Sequence, residues 1–386
     1  MNDENVVKSF TVPDYRGTPV DQASYAIKNL KSNTIRCIVR GNGDTVIDQM
    51  PRVGTTVQDG GRRGYQSLGM PTAGAMDTYA FSLANALVGN DINQSAIEAT
   101  LLGPTIEIDT DCVFAVTGAD MGATLNRQSI ALNRAYAAKA GSVIALGPAK
   151  WGSRGYIAFA GGVGGSMVMG SRATYTKAAI GGIDGRKAKN GDTVELICPK
   201  AELRNMALRH APSGLIPPYS AAPTLRVTPG PQSDYFDKAG FDALFGAQYT
   251  VTAETDRMGC RLSGANVPFA EGKNGNIVSD AVAFGSVQIP SGQPIIMMAD
   301  HQTTGGYAKP CCVISADLPL AAQLRAGDKM RFAPIEINEA QAIYRRHMAE
   351  LSEFIRIIEH GFIYRHRPYY AQLNGRGFAV TVDEIV

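Results

Sequence analysis

Three short stretches of the chain crowd side chains that can do chemistry in among glycines. The first runs Thr55-Thr-Val-Gln-Asp-Gly-Gly-Arg-Arg-Gly-Tyr65 and continues through Gly74-Ala-Met-Asp77. The second is Thr255-Asp-Arg-Met-Gly-Cys-Arg261, and the third is Asp300-His-Gln-Thr-Thr-Gly-Gly-Tyr-Ala-Lys309. In each, guanidinium or ammonium donors, amides and carboxylates stand beside glycines that let backbone N–H groups approach a ligand. Arg257 or Arg261 can fork onto a carboxylate or phosphate. Gln302, Thr303 and Thr304 can exchange hydrogen bonds with a planar amide or ureido group. The same residues also have plain structural readings. Asp59 and Arg62 can form an ion pair in a turn, Asp77 can cap a helix, and Asp256 can pair with Arg257. Tyr307 and Lys309 can line an interface, with Lys309 reaching solvent.

These stretches need a scaffold, and the composition says which kind. The 386 residues include 42 glycines and 20 prolines, with 19% charged and 45% hydrophobic side chains. Such a chain is too apolar for disorder and too glycine-rich for a coiled coil. It points to short strands joined by tight turns, in more than one domain. Apolar runs bounded by Gly, Pro or Asp predict strands at 105–108, 113–117, 143–146, 156–160 and 193–197, and again at 225–228, 249–252, 286–289, 295–299, 312–314 and 329–332. Met76, Ala80, Leu83, Ala84 and Leu87 share one face of a helix ending at Gly89. Ser233 is placed to cap a helix ending near Gly246. A long helix starts at Asn338, with Gln341 as capping-box partner and Ile343, Met348, Leu351, Ile355 and Ile358 on its apolar side. Tyr156–Ala160 followed by Gly191-Asp192 echoes Pro294–Ala299 followed by Gly327-Asp328 at nearly equal spacing, which suggests a duplicated β-domain. The division expected is 1–45 as an appendage, 46–205 as a first barrel, 206–223 as a proline-rich linker, 224–335 as a second barrel, and 336–386 as a helix and tail.

Several function classes fall away. Thirty-seven basic against 35 acidic residues leave +2 with no polybasic block, so no nucleic-acid footprint is expected. No apolar run reaches membrane-spanning length, and the acidic Met-Asn-Asp-Glu-Asn start does not read as a signal peptide. The six cysteines form no Cys-x-x-Cys pair, and the five histidines lack metal-ligand spacing. Reduced thiols, a cytoplasmic setting and no metal site are the expectation. There is no P-loop, no Gly-x-Ser-x-Gly and no Ala-Met-Lys-Met-type biotin attachment site, so no cofactor is covalently attached. Gly161-Gly-Val-Gly-Gly165 reads as a structural turn, because no clear helix follows it.

Beyond the chemistry, six ordered motifs carry a family resemblance. Val57-Gln-Asp-Gly-Gly-Arg-Arg-Gly-Tyr65, Ser82–Asn90, Glu98–Pro104, Val116–Ala119, Asp256–Gly259 and Gln302-Thr-Thr-Gly-Gly-Tyr307 resemble the signatures of the 5-oxoprolinase C-subunit. That family is also known as allophanate hydrolase subunit 2, or the KipA-type half of a urea-carboxylase carboxyltransferase domain. The resemblance, from about Arg52 to Phe332, implies a mainly β protein with a few helices, built as two cyclophilin-like β-barrel subdomains. It implies a heteromer with a KipI-like B-subunit that completes the active site, with a small amide as substrate. Two chemistries share this architecture. In an ATP-dependent 5-oxoprolinase, with ATP and Mg at the shared site and a LamB-like A-subunit as third member, the lactam amide is phosphorylated before hydrolysis. In a biotin-dependent carboxyltransferase, biotin rides on a separate carrier beside a biotin carboxylase, and its ureido oxygen becomes anionic. A regulatory, KipA-like binding protein is the non-enzymatic alternative.

Either chemistry needs cations and amides around a planar amide. The residues expected in catalysis are Arg257, Gln302 and Lys309. Those expected to bind substrate are Gln58, Asp59, Arg62, Asp77, Asp256, Arg261, Thr303, Thr304 and Tyr307. The Gln58-Asp-Gly-Gly form of the first motif resembles stand-alone oxoprolinase subunits more closely. His301 stands where many relatives carry Arg, and a neutral histidine there reads as a structural donor. Pro310-Cys-Cys312 and the long termini also depart from the family pattern.

Overall fold

The computed structural model describes residues 54–197, 206–207 and 209–359 in full, and the backbone alone of 38–40, 364–373 and 376–385. The expected appendage therefore lies outside the described residues, apart from one strand.

The first lobe comprises β1 (Ile38–Arg40), β2 (Gly54–Gln58), β3 (Ala96–Thr100), β4 (Thr105–Glu107), β5 (Cys112–Asp120), β6 (Thr124–Leu125), β7 (Gln128–Ser129), β8 (Arg134–Ala138), β9 (Val143–Ala145) and β10 (Trp151–Phe159). They form two five-stranded sheets, ordered β1-β4-β9-β6-β7 and β2-β3-β10-β5-β8. The central strands β5 and β10 are buried on both faces, which is why they read as unbroken apolar runs. Their alternation divides them between two cores. Phe114, Val116, Ile157 and Phe159 face a core shared with the other sheet. Val113, Ala115, Tyr156 and Ala158 face a core formed with helix α1 (Thr78–Leu87). Gly89, at φ +69°, ends that helix in the left-handed region that glycine accepts most readily.

The second lobe holds β11 (Thr224–Pro229), β12 (Tyr249–Val251), β13 (Gly259–Ser263), β14 (Asn276–Ala281), β15 (Ser286–Gln288), β16 (Ile295–Met297), β17 (Thr304–Tyr307), β18 (Cys311–Val313) and β19 (Lys329–Pro334). Seven of them close as a barrel, β11-β18-β15-β16-β13-β12-β19, sealed by the parallel pairing of β11 with β19. Leu225, Val251, Leu262, Val287, Ile296, Met330 and Phe332 fill it. Strands β14 and β17 instead pair with each other as a separate antiparallel ribbon. Helices α2 (Lys238–Gly246) and α3 (Leu318–Ala322) belong to this lobe. The long helix α4 (Ile337–Glu359) lays Leu351, Phe354 and Ile358 against the α1 core of the first lobe.

The mainly β fold with a few helices is thus observed, with differences in detail. The second lobe is a closed barrel, whereas the first is a pair of sheets. The expected strand at 193–197 is reduced to one bridge between Leu196 and Val163. Val194 and Leu196 still reach the core, so an apolar run here signalled burial without a ladder. The echo that suggested duplication therefore has its closing strand only in the second half, as β19. Asp237, not Ser233, caps α2, its Oδ1 accepting from Gly240 N at 3.0 Å, while Ser233 sits in a preceding 3-10 turn. Only the start of Gly161–Gly165 turns, Gly162 N donating to Phe159 O at 2.8 Å, while Val163 bridges to Leu196. The tail pairs residue for residue as β20 (Tyr364–Leu373) and β21 (Arg376–Ile385).

Leu351 is wholly buried where α4 meets α1. Leu351→Ala is expected to lower unfolding free energy by about 2–4 kcal/mol, through lost apolar burial and a residual cavity, measured by urea denaturation.

Candidate active site at the seam between the lobes

The three polar-glycine stretches converge, and Arg257 is the side chain that joins them. It leaves the loop before β13 and forks onto Asp300, Nε to Oδ2 and Nη2 to Oδ1, each at 2.9 Å. Nη2 also donates to Gly74 O at 2.6 Å, and Nη1 to Glu98 Oε1 on β3 of the first lobe. Four donations thus engage a group with five N–H bonds. Burial alone would lower the pKa of this guanidinium, but Asp300 and Glu98 outweigh it and hold the charge firmly. Asp300 is in turn pushed up by burial and restrained by Arg257.

Around this fork runs a buried polar network. Glu98 Oε2 accepts from Met76 N at 2.9 Å and from the Tyr156 hydroxyl at 2.8 Å. Tyr156 Oη accepts from Asp77 N at 2.8 Å. Burial first, then the Glu98 and Asp77 charges, raises the Tyr156 pKa far enough to keep the phenol a donor. Asp77 is fully buried. It caps α1 through Ala80 N at 2.9 Å, and it accepts from Tyr219 Oη at 2.7 Å and Gln323 Nε2 at 2.8 Å. Burial pushes its carboxyl up to about 6, against the pull of these hydrogen bonds.

Gln323, just past α3, is the second plug from one lobe into the other. The register of β10 against β5 slips between Trp151 and Gly155, and the bulge turns the N–H groups of Ser153 and Arg154 toward the Gln323 Oε1, at 2.9 and 3.0 Å. Its Nε2 also donates to Arg154 O at 2.9 Å. Gly152 makes room at φ +74°, since a Cβ there would stand 2.7 Å from Gln323 Oε1.

The expected site residues divide by what they touch. Asp59 accepts from Gly61 N, Ser171 Oγ and Arg172 N at 2.9, 2.7 and 2.5 Å. It shapes its loop, and no ion pair to Arg62 forms. Arg62 is fully buried, donating to Val168 O and Ala173 O, with Nη1 left without a hydrogen bond; burial pulls its pKa down, against Asp59 and Asp300. Gln58 donates to Thr56 Oγ1 and Thr174 O, and its Oε1 is unfilled. Asp256 accepts from Met258 N and Gly259 N, so it organises the turn that launches Arg257 and does not pair with it. Arg261 is half-exposed on β13, 3.9 Å from Glu254. His301 is buried and gives Nδ1–H to Gln302 O at 2.8 Å, its pKa lowered mainly by burial.

Gln302, Thr303, Thr304, Tyr307 and Lys309 gather around the β14–β17 ribbon. Thr304 and Tyr307 are exposed on β17, and Thr303 O accepts from Val282 N. Gln302 Nε2 lies 3.5 Å from Gln288 Oε1, and the Gln288 amide nitrogen is buried without a partner. A Cβ at Gly305 would stand 2.4 Å from that nitrogen, so a side chain there would push the amide aside. Lys309 does not reach solvent: its side chain is 1% exposed, and its ammonium makes no hydrogen bond although Asp280 Oδ2 is 3.4 Å away. A buried cation with open donors can take an anionic oxygen on a planar amide or phosphoryl group.

Sequence reasoning missed Glu98, Tyr156, Gln288 and Gln323 as parts of the site. Glu98 carried a readable signal, a carboxylate in the middle of the small apolar strand Ala96-Ile-Glu-Ala-Thr100. The others had none.

Two outcomes follow from the seam. Arg257→Met leaves Glu98 and Asp300 buried without their cation, and is expected to cost about 3–5 kcal/mol of stability in urea denaturation. Arg257→Lys recovers only part, because one ammonium cannot fork onto Asp300 and still reach Glu98 and Gly74. Asp77, with its folded pKa raised above the unfolded value, stabilises the protein at low pH and loses that contribution as pH rises through about 6. Against Asp77→Asn, the wild type should therefore gain about 2 kcal/mol of relative stability between pH 7 and pH 4.

Comparison with known proteins agrees with this architecture. The family described as carboxyltransferase domain, subdomain A and B, matches residues 68–334. The chain is 37% identical to the C-subunit of 5-oxoprolinase from Escherichia coli over 287 residues, covering 74% of this chain and 90% of the relative. It is 31% identical to urea amidolyase of Saccharomyces cerevisiae over 307 residues, 76% of this chain but 17% of that enzyme. The crystal structure of the Kluyveromyces lactis urea carboxylase superposes with a TM-score of 0.76 at 28% identity, covering 85% of this chain and 30% of that one. These relatives are subunits or domains of enzymes, and the chain belongs to the carboxyltransferase subdomain A and B family, with the 5-oxoprolinase C-subunit among its relatives.

Proposed function

We propose that this chain is the C-subunit-like half of a heteromeric, ATP-dependent 5-oxoprolinase, its active site shared with a KipI-like B-subunit. The observation that carries the site is the Lys309 ammonium, buried with its donors open and with Asp280 Oδ2 3.4 Å away. The choice of chemistry is supported by the relatives: the match spans 90% of a 5-oxoprolinase C-subunit and 17% of a urea amidolyase.

In this reading Lys309 neutralises the oxygen on which negative charge grows, and Gln302, with Thr303 and Thr304, orients the planar lactam amide. Tyr307, exposed on β17, closes one side of the ligand or meets the partner. Arg257 acts as a positioning residue, since its donors hold the loops of Gly74 and Asp300 together. Gln58, Asp59, Arg62, Asp77 and Asp256 shape the walls, and Arg261 meets the ligand's outer, charged end. ATP, when bound, supplies the phosphoryl group that activates the amide. The donor set around Lys309 fits a phosphoryl oxygen. Among the described residues no cluster of three or more His, Cys, Asp or Glu could hold a metal ion. In this scheme Mg is held by the nucleotide and the partner, and a LamB-like A-subunit completes the hydrolysis.

A second reading, transfer of carboxylate from biotin on a separate carrier, draws on the likeness to urea carboxylase and uses the same residues against the biotin ureido oxygen. No helix among the described residues is long and apolar enough to cross a membrane.

The purified chain with its partners is expected to hydrolyse ATP only when 5-oxoproline is present. Lys309→Met should lower kcat by about 10²–10³-fold, and Gln302→Ala by at least about tenfold, with assembly unchanged by gel filtration. Carboxylate transfer from carboxybiotin, without oxoproline-dependent ATP turnover, would overturn the first reading in favour of the second.

A further inference from the structure

Lys309 is held in place by two residues of unrelated stretches. Gln232, in the turn after β11, grips the lysine backbone from both sides: its Oε1 accepts from Lys309 N at 3.2 Å and its N–H donates to Lys309 O at 3.3 Å. The same side chain reaches on to Asp280, Nε2 to Oδ2 at 3.0 Å. Asp280 stands opposite Gly305 in the β14–β17 ribbon, just past a register shift, and its Oδ1 accepts from Ala281 N at 2.7 Å. Its Oδ2 faces the lysine ammonium from 3.4 Å, within ion-pair range but longer than a close charge-assisted hydrogen bond. The carboxyl is held below the usual range by the Gln232 hydrogen bond first, then by Ala281 N and the Lys309 charge, so it stays ionised.

We propose that Asp280 and Gln232 form a positioning pair for Lys309. Asp280 is the fixed counter-ion that steadies the ammonium at a distance, leaving its N–H donors for the anionic oxygen of the ligand, and Gln232 locks the carboxylate and the lysine backbone into one unit. An ordinary surface ion pair would close to hydrogen-bond distance and fill those donors. Neither residue contacts the ligand in this scheme, so both act through Lys309. The inference rests on the preceding assignment of Lys309 to the active site.

Two measurements test it separately. On the chain alone, acetylation of Lys309 by a water-soluble N-hydroxysuccinimide ester is followed by mass spectrometry. It is expected to quicken about fivefold or more in Asp280→Asn and in Gln232→Ala, relative to wild type and to Val278→Thr, a change at a 93% exposed position of the same strand. On the assembled enzyme, Asp280→Asn is expected to lower kcat about tenfold with KM for 5-oxoproline within twofold, and Asp280→Glu to restore most of it. Unchanged labelling in both variants overturns the pair. Faster labelling with kcat unchanged shows that the pair holds Lys309 and overturns instead the assignment of that lysine to catalysis.

Discussion

A largely covered cation between two buried carboxylates from different parts of the chain sets the terms for everything else. Taking Arg257, Glu98 and Asp300 out of water costs several kcal/mol for each ion, and only good geometry recovers it. The fork onto Asp300, the reach to Glu98 and the bond to Gly74 O supply that geometry. Together the contacts tie three loops, the one before α1, the one before β13 and the one that leads into β17, to strand β3. The loops that carry the polar residues are therefore not free to wander, because displacing any one of them exposes an unpaired charge to an apolar interior.

That arrangement separates rigidity from reactivity. The seam is dense, its donors and acceptors nearly all engaged, and its tyrosines are held protonated by burial. Unfilled groups lie away from the fork: Lys309 and Gln288 in the second lobe beside the exposed ribbon, and Gln58 and Arg62 in the first. Seam residues such as Arg257 and Glu98 are strongly polar and sit in the family's motifs, yet the geometry gives them the work of holding the walls. In the proposed function the Lys309 ammonium needs such a frame, since its electrostatic effect depends on being oriented before the ligand arrives.

Most of the elements could be read from the chain because period and punctuation agreed. The strands at β5, β10, β11, β15, β16 and β19 are apolar runs between turn residues, and α1 and α4 show helical spacing with recognisable ends. What could not be read falls into two kinds. Strands β2 and β14 are built from polar or exposed residues, Gly54-Thr-Thr-Val-Gln58 and Asn276-Ile-Val-Ser-Asp-Ala281, so their pairing comes from the backbone and leaves no hydrophobic pattern. The network, for its part, joins residues far apart in sequence: Glu98 and Arg257 are separated by 159 positions, Asp77 and Gln323 by 246. Local spacing carries no trace of such pairs. The polar-glycine stretches announced that something converged, and the lone carboxylate of β3 hinted at a buried partner, but which side chain bonded and which stayed open was decided only by packing.

The bulge in β10 that receives Gln323 works as an alignment key. One primary amide meets two consecutive backbone N–H groups and a carbonyl, a pattern that a neighbouring stretch of regular strand does not present, because there those groups are spent on the ladder. A lobe shifted by one residue, or turned slightly about the seam, would leave the amide and the bulge both unsatisfied. The irregular strand thus admits one docked orientation and penalises its neighbours, so that the two lobes share a single frame of reference for the residues they carry.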